Sequence, residues 1–204
     1  MTSSHPLFCI VVLAAAMAGC ASSPSAPPVL LSLPPAVAAA APVAVPAPNS
    51  APKLLAVRRV AIPEYLVARR VRYRADASTL AEWPNTFWAE RIEIGVSREF
   101  ASALRQRLPG WAVCESACED QAPSLALQVE LVPLDFVRST QRLQSRARAT
   151  LSSTGVPPRV LKTEEMAYDL PADADTPQAH AQAITEVIRQ VAQALAPLVQ
   201  GVRP

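Results

Sequence analysis

Cys114 and Cys118, in the stretch WAVCESACEDQ, form the pair of side chains whose spacing most directly invites chemistry. Two thiols in one turn can bridge, ligate a metal or exchange disulfides. The C-x-x-x-C spacing departs from the C-x-x-C of thioredoxin-like sites, and no histidine or second cysteine pair is available to complete a zinc set. In an oxidising compartment the expectation is a structural disulfide, with no metal and no cofactor. His180 is the histidine remaining after the N-terminal segment, and on a helical wheel it falls among apolar residues, the place of a core histidine rather than a base or ligand. Glu164 and Glu165 are adjacent, so on a strand they point to opposite faces and share no proton. Asp173 and Asp175 lie in a loop with nothing to set their pKa values apart. There is no G-x-S-x-G elbow, no Ser-x-x-Lys pair and no glycine-rich phosphate loop. These residues give no basis for an enzyme.

Charge is the other chemistry on offer. From Arg138 to Leu151 the residues alternate. Leu143, Ser145, Ala147, Ala149 and Leu151 take one side, and Arg138, Thr140, Arg142, Gln144, Arg146 and Arg148 take the other. Arg138, Arg142, Arg146 and Arg148 therefore make a candidate interface for an acidic partner or for lipid headgroups. The competing reading is a solvated outer face whose arginines keep an edge strand soluble, and it is favoured because charge runs usually mark solvated faces.

The elements that position these residues follow from periodicity. Ser124 to Val132 places Leu125, Leu127, Val129 and Leu131 on one face of a strand, and Arg159 to Tyr168 reads as a strand returning antiparallel to the arginine-bearing one. Leu54 to Ile62 is a branched apolar run stopped by Pro63, and Tyr65 to Arg74 continues as extended chain. Trp83 to Leu108 reads as one long amphipathic helix, with Pro84, Asn85 and Thr86 as cap and Glu90 in its first turns. Trp88, Ala89, Ile92, Val96, Phe100, Ala103 and Leu104 would share its apolar face. Pro109 and Gly110 end it. Thr176 caps a final helix from Pro177 to Val199, with Ala183, Ile184, Val187, Ile188, Val191, Leu195 and Leu198 on one face. The expected fold is α/β (α+β), an antiparallel or mixed sheet with two long amphipathic helices on one face.

The 204 residues include 21 prolines and only 5 glycines, and the net charge of +2 argues against a nucleic-acid partner. Leu7 to Met17 is apolar but too short to span a bilayer, as expected of a signal-peptide core. It runs into Met17-Ala18-Gly19-Cys20, which resembles the lipobox of bacterial lipoproteins. Residues 1–19 are therefore expected to be a lipoprotein signal peptide, and Cys20 the acylated first residue of the mature chain. More than one acyl chain gives stable anchoring without spanning the membrane. Ala21, rather than Asp, implies the outer membrane by the usual sorting rule of Gram-negative lipoproteins, with the domain facing the periplasm. Residues 20–53, uncharged and rich in Ala and Pro up to Pro52, read as a tether with a candidate edge strand at 29–33. Residues 54–200 would form the folded domain.

Within that domain, Pro63, Tyr65 and Leu66 followed by Trp88, Ala89 and Glu90 carry a resemblance to the ABC-type transport auxiliary lipoprotein family, PqiC type. A P-x-Y-L segment and a W-A-E mark that family, and the lipobox agrees with it. The tyrosine usual in the opening strand is missing from Val29 to Leu33, and the Ala/Pro insert that follows is long. The resemblance implies a non-catalytic outer-membrane component of an envelope lipid-transport system, with an MCE-domain periplasmic protein and inner-membrane components as partners. A homo-oligomer would suit docking onto a symmetric conduit. The alternative is another envelope assembly or ligand-binding lipoprotein on the same anchor.

Overall fold

The computed structural model describes residues 26–36, 53–115, 118 and 121–202. The expected signal peptide, Cys20 and the Ala/Pro-rich run at 37–52 lie outside the described residues. In chain order the elements are β1 (Val29–Leu31), β2 (Lys53–Val57), β3 (Arg70–Arg74), β4 (Leu80–Trp88), α1 (Ile92–Arg107), β5 (Trp111–Glu115), β6 (Leu125–Val137), β7 (Arg142–Ser153), β8 (Val160–Pro171) and α2 (Pro177–Gly201).

Strand β6 is the spine of a mixed eight-stranded sheet. One of its edges pairs along its length with β7, which pairs antiparallel with β8. The other edge is shared: β2 runs parallel to its first part, Leu55 opposite Leu125, and β3 meets its last residue, Arg74 opposite Val137. The sheet continues from β2 to β5 at one end and from β3 through β4 to β1 at the other. Such a shared edge needs a long strand. The alternation of Leu125, Leu127, Val129 and Leu131 supplies its first half, all of them buried. A register shift between Leu131 and Leu134 absorbs Pro133, which has no N–H to give a ladder, and returns Leu134 and Phe136 to the core. Each such side chain contributes about 1.5–3 kcal/mol of burial.

Both helices join the core built on this sheet face. Ile92, Val96, Phe100 and Leu104 of α1, and Ile184, Val187, Ile188, Val191 and Leu195 of α2, are buried with the inward side chains of β2, β6 and β7. The Thr176 hydroxyl caps α2 by accepting from the Ala179 amide at 3.2 Å. The fold is α+β.

The structure corrects the start of the first helix. Residues 80–88 are strand, and α1 begins at Ile92, so Pro84, Asn85 and Thr86 form no cap. Trp83, Thr86 and Trp88 are the buried residues of β4. Asn85 has φ 49° and the register with β3 slips between Arg70 and Arg72, so a bulge replaces strict alternation. The resulting three-residue step from Trp83 to Thr86 imitates a helical one. Likewise Glu64–Leu66 is a 3-10 turn, and extended chain resumes only at Arg70.

Residues 26–36 belong to the folded body and form a strap across it. Strand β1 pairs in parallel with β4 at the sheet edge, Leu30 opposite Phe87. The Asn85 side chain donates to the carbonyls of Ala26 and Pro27, and the Ala89 amide donates to the Leu31 carbonyl. Leu31, Leu33 and Ala36 are buried. The Thr185 hydroxyl of α2 donates to the Pro34 carbonyl at 3.1 Å, and the Ala36 amide donates to Glu99 Oε2 at 3.0 Å. The Ala/Pro run at 37–52 therefore connects two points of the domain, β1 and β2, rather than leading into it.

Candidate docking surface

The arginines of β7 stand on the sheet face away from the helices, with neighbours set by the register. Val137, Arg142 and Pro171 form one row, Asp135, Gln144 and Asp169 the next, and Glu130, Arg148 and Glu165 another. Arg142 Nε donates to Asp169 Oδ1 at 2.8 Å, and Arg148 lies 3.8 Å from Glu165. Arg146 has no carboxylate within ion-pair distance among the described residues, and it faces Val132, which is 53% exposed, across a shallow groove. Acidic neighbours on β6 and β8 thus offset the stripe's charge. Pairs this exposed contribute at most about 1 kcal/mol each.

Arg138 is not part of this stripe. A turn over residues 138–141, with Gln141 at φ 52°, breaks the alternation between β6 and β7. Its guanidinium turns to the helix side, 4.6 Å from the Trp83 ring centre and 4.9 Å from that of Tyr73. It donates to the Tyr73 hydroxyl at 2.8 Å and to both Asp175 oxygens at 2.9 and 3.0 Å. The Tyr73 hydroxyl first, then Asp175, hold its pKa above the usual arginine value. Arg138 secures the loop that leads into α2.

Cys114 and Cys118 form a disulfide, with a Cα separation of 5.3 Å that suits one. His180 is a core residue: 1% exposed, stacked on Phe136 at 4.8 Å and edge-on to Trp88 at 6.3 Å. Neither ring nitrogen has a hydrogen-bond partner among the described residues, and burial lowers its pKa to about 3. Glu164 faces the helix side and Glu165 the open side, so the two carboxylates are separated by the strand.

The motif residues carry structural contacts. Tyr65 donates to Asp135 Oδ1 at 2.8 Å, and Arg74 Nε donates to Asp135 Oδ2 at 2.7 Å. Burial, then the Asp135 contact, raises the Tyr65 pKa. Trp88 is buried beside the strap and the Ala89 amide holds it. Glu90 accepts from Arg98 Nη1 at both oxygens, 2.7 Å each, and Arg98 Nε donates to Glu99 Oε1 at 3.1 Å. The W-A-E segment is thus the dock for residues 26–36, a role with no sequence signal short of pairing it with a run nearly sixty residues upstream.

Two cavities bear on ligand carrying. A groove of about 580 Å³ between the helix ends is lined by Gln106, Arg107, Arg189, Gln193 and Gln200 together with Ala36, Ala196 and Pro197, and it is open and mixed in character. The apolar cavity beneath α2, bounded by Leu127, Leu151, Leu195 and Val199, measures about 10 Å³, no more than one water molecule needs.

A strapped α+β domain with a helix-covered face and an open, charge-balanced one defines the class. Its relatives give the family. The ABC-type transport auxiliary lipoprotein component model matches residues 32–196, and the chain belongs to that family. An uncharacterised protein of known crystal structure is 17% identical, with 85% of this chain and 99% of that one covered at a TM-score of 0.66. Protein XCC0632 from Xanthomonas campestris is also 17% identical, with 76% of this chain and 88% of that one covered at a TM-score of 0.60. These likenesses show the fold. No curated protein matches the chain in sequence.

Proposed function

We propose that the protein is a non-catalytic, lipid-anchored periplasmic component of an envelope transport system, which docks an MCE-domain protein of an intermembrane lipid-transport machine to the outer membrane. The family match over residues 32–196 carries this reading. The lipobox ending in Cys20 supports a signal peptide at 1–19 and an acylated mature N-terminus. The closely packed interior beneath α2, with room for about 10 Å³ only, favours docking over carrying a lipid. The open face of β6, β7 and β8 supplies a docking surface, with Arg142, Arg146 and Arg148 at its centre.

Crosslinking and affinity capture of the lipidated protein from intact envelopes, with Cys20→Ala as control, tests the proposal. Recovery of an MCE-domain protein, with outer-membrane partitioning lost in the control, is the expected result. Recovery of unrelated assembly machinery would sink the lipid-transport assignment and leave an anchored assembly factor. Charge reversal at Arg142 and Arg146 should weaken capture without moving the melting temperature. Unchanged capture would return the stripe to a solvated face.

A further inference from the structure

The strap changes how far the domain can stand from a membrane. Cys20 and Ala26 are six residues apart, and the chain is held to β4 from Ala26 onward through the Asn85 side chain. Fully extended, six residues reach about 20 Å. A folded body of this size is about 40 Å across. The corner where the strap begins must then lie within about 20 Å of the bilayer that holds the Cys20 acyl chains.

That corner has the surface chemistry of a membrane contact. Leu30, Phe87 and Arg70 stand in one row across β1, β4 and β3 on the open face. Leu30 is 59% exposed. Phe87 has the Arg70 guanidinium 5.1 Å and the Arg69 guanidinium 5.9 Å from its ring centre. Arg70 and Arg72 share the single carboxylate of Glu82, at 3.4 and 3.3 Å, and Arg69 has no ion pair among the described residues. Three guanidiniums and one carboxylate leave this edge positive. An exposed leucine and an aromatic ring among arginines match the headgroup region, where each arginine near an anionic surface contributes about 1 kcal/mol.

We infer that the β1–β4–β3 corner, through Leu30, Phe87, Arg69 and Arg70, rests on the surface of the bilayer to which Cys20 is attached, holding the domain against the membrane rather than at the end of a long leash. This inference rests on the anchored-lipoprotein reading. It places the opposite edge of the sheet, at β8, away from that bilayer.

The test uses the mature lipidated chain reconstituted into phosphatidylethanolamine vesicles containing phosphatidylglycerol. With Cys20 acylated and Cys114 bridged to Cys118, Leu30→Cys or Thr163→Cys introduces the sole free thiol for an environment-sensitive fluorophore. Thr163 is exposed on the same open face, level with the β2 end of β6, and its melting curve with that of the Leu30 variant verifies folding. Lipids spin-labelled at the headgroup should quench the position-30 probe several-fold more than the position-163 probe, and Arg69→Glu with Arg70→Glu should reduce that difference. Equal quenching at the two positions in a chain whose Cys20 peptide carries acyl mass overturns the inference and leaves the anchor standing. A Cys20 peptide without acyl mass overturns the anchor reading and the inference with it.

Discussion

The strap and the arginine stripe use polar groups in opposite ways. The strap spans eleven described residues, yet its Pro34 carbonyl and Ala36 amide are bound by Thr185 and Glu99, residues far along the chain. The stripe gathers three guanidiniums on one face and pairs two of them, Arg142 and Arg148, with carboxylates on the adjoining strand. Burial makes the difference. A hydrogen bond to a buried amide cannot be replaced by water, so losing it leaves the full desolvation cost, whereas an exposed ion pair is replaced by hydration at little loss.

The largest expected effect falls on the strap. Leu33→Asp puts a carboxylate where a leucine is 5% exposed and meets Gly95 of α1. Urea denaturation should show a loss of about 4 kcal/mol, with protease cleavage appearing within 26–36. A loss as small as that of a surface substitution would mean that the strap is not integral to the domain.

His180 tests the same region through pH. Its folded pKa of about 3 lies below the 6.5 of an unfolded histidine, so the unfolded chain takes up the proton first as pH falls. The stability linked to the neutral ring is complete above pH 6.5 and declines at about 1.4 kcal/mol per pH unit below it, until the folded pKa is reached. Between pH 7.5 and 5.0 the protein should lose about 2 kcal/mol through this group alone. His180→Phe should show a pH profile flatter by that amount, and equal slopes in the two proteins would place His180 in contact with water.

The smallest effect belongs to the stripe. Arg142→Ala should change stability by no more than about 0.5 kcal/mol, and salt should diminish even that. A loss comparable to that of Leu33→Asp would erase the contrast between the regions.

Sequence periodicity revealed the parts whose partners are near. The final helix, its Thr176 cap, the alternation of β6 and the inward set Leu143 to Leu151 all follow from patterns contained within one element. The errors arise where one residue out of phase shifts the rest. The Asn85 bulge turned a strand into an apparent helical start, and the turn at 138–141 put Arg138 on the wrong face. The docking of residues 26–36 was legible only as the candidate edge strand at 29–33, which is β1 at the sheet edge, because Asn85, Glu99 and Thr185 that hold the rest carry no local pattern. For the open face the arginines were visible in sequence, but the offsetting acids Glu130, Glu165 and Asp169 became neighbours only through strand pairing.

The bond from Thr185 to Pro34 joins residues 151 positions apart, so the beginning of the domain is fastened by its last element. A chain emerging from its N-terminus makes β1 first but has neither β4 to pair it nor α2 to close over it until nearly all of the domain has followed. The strap is therefore completed late, and a chain cut short before α2 would keep its N-terminal segment unsecured, which marks an unfinished molecule by a loose leading end.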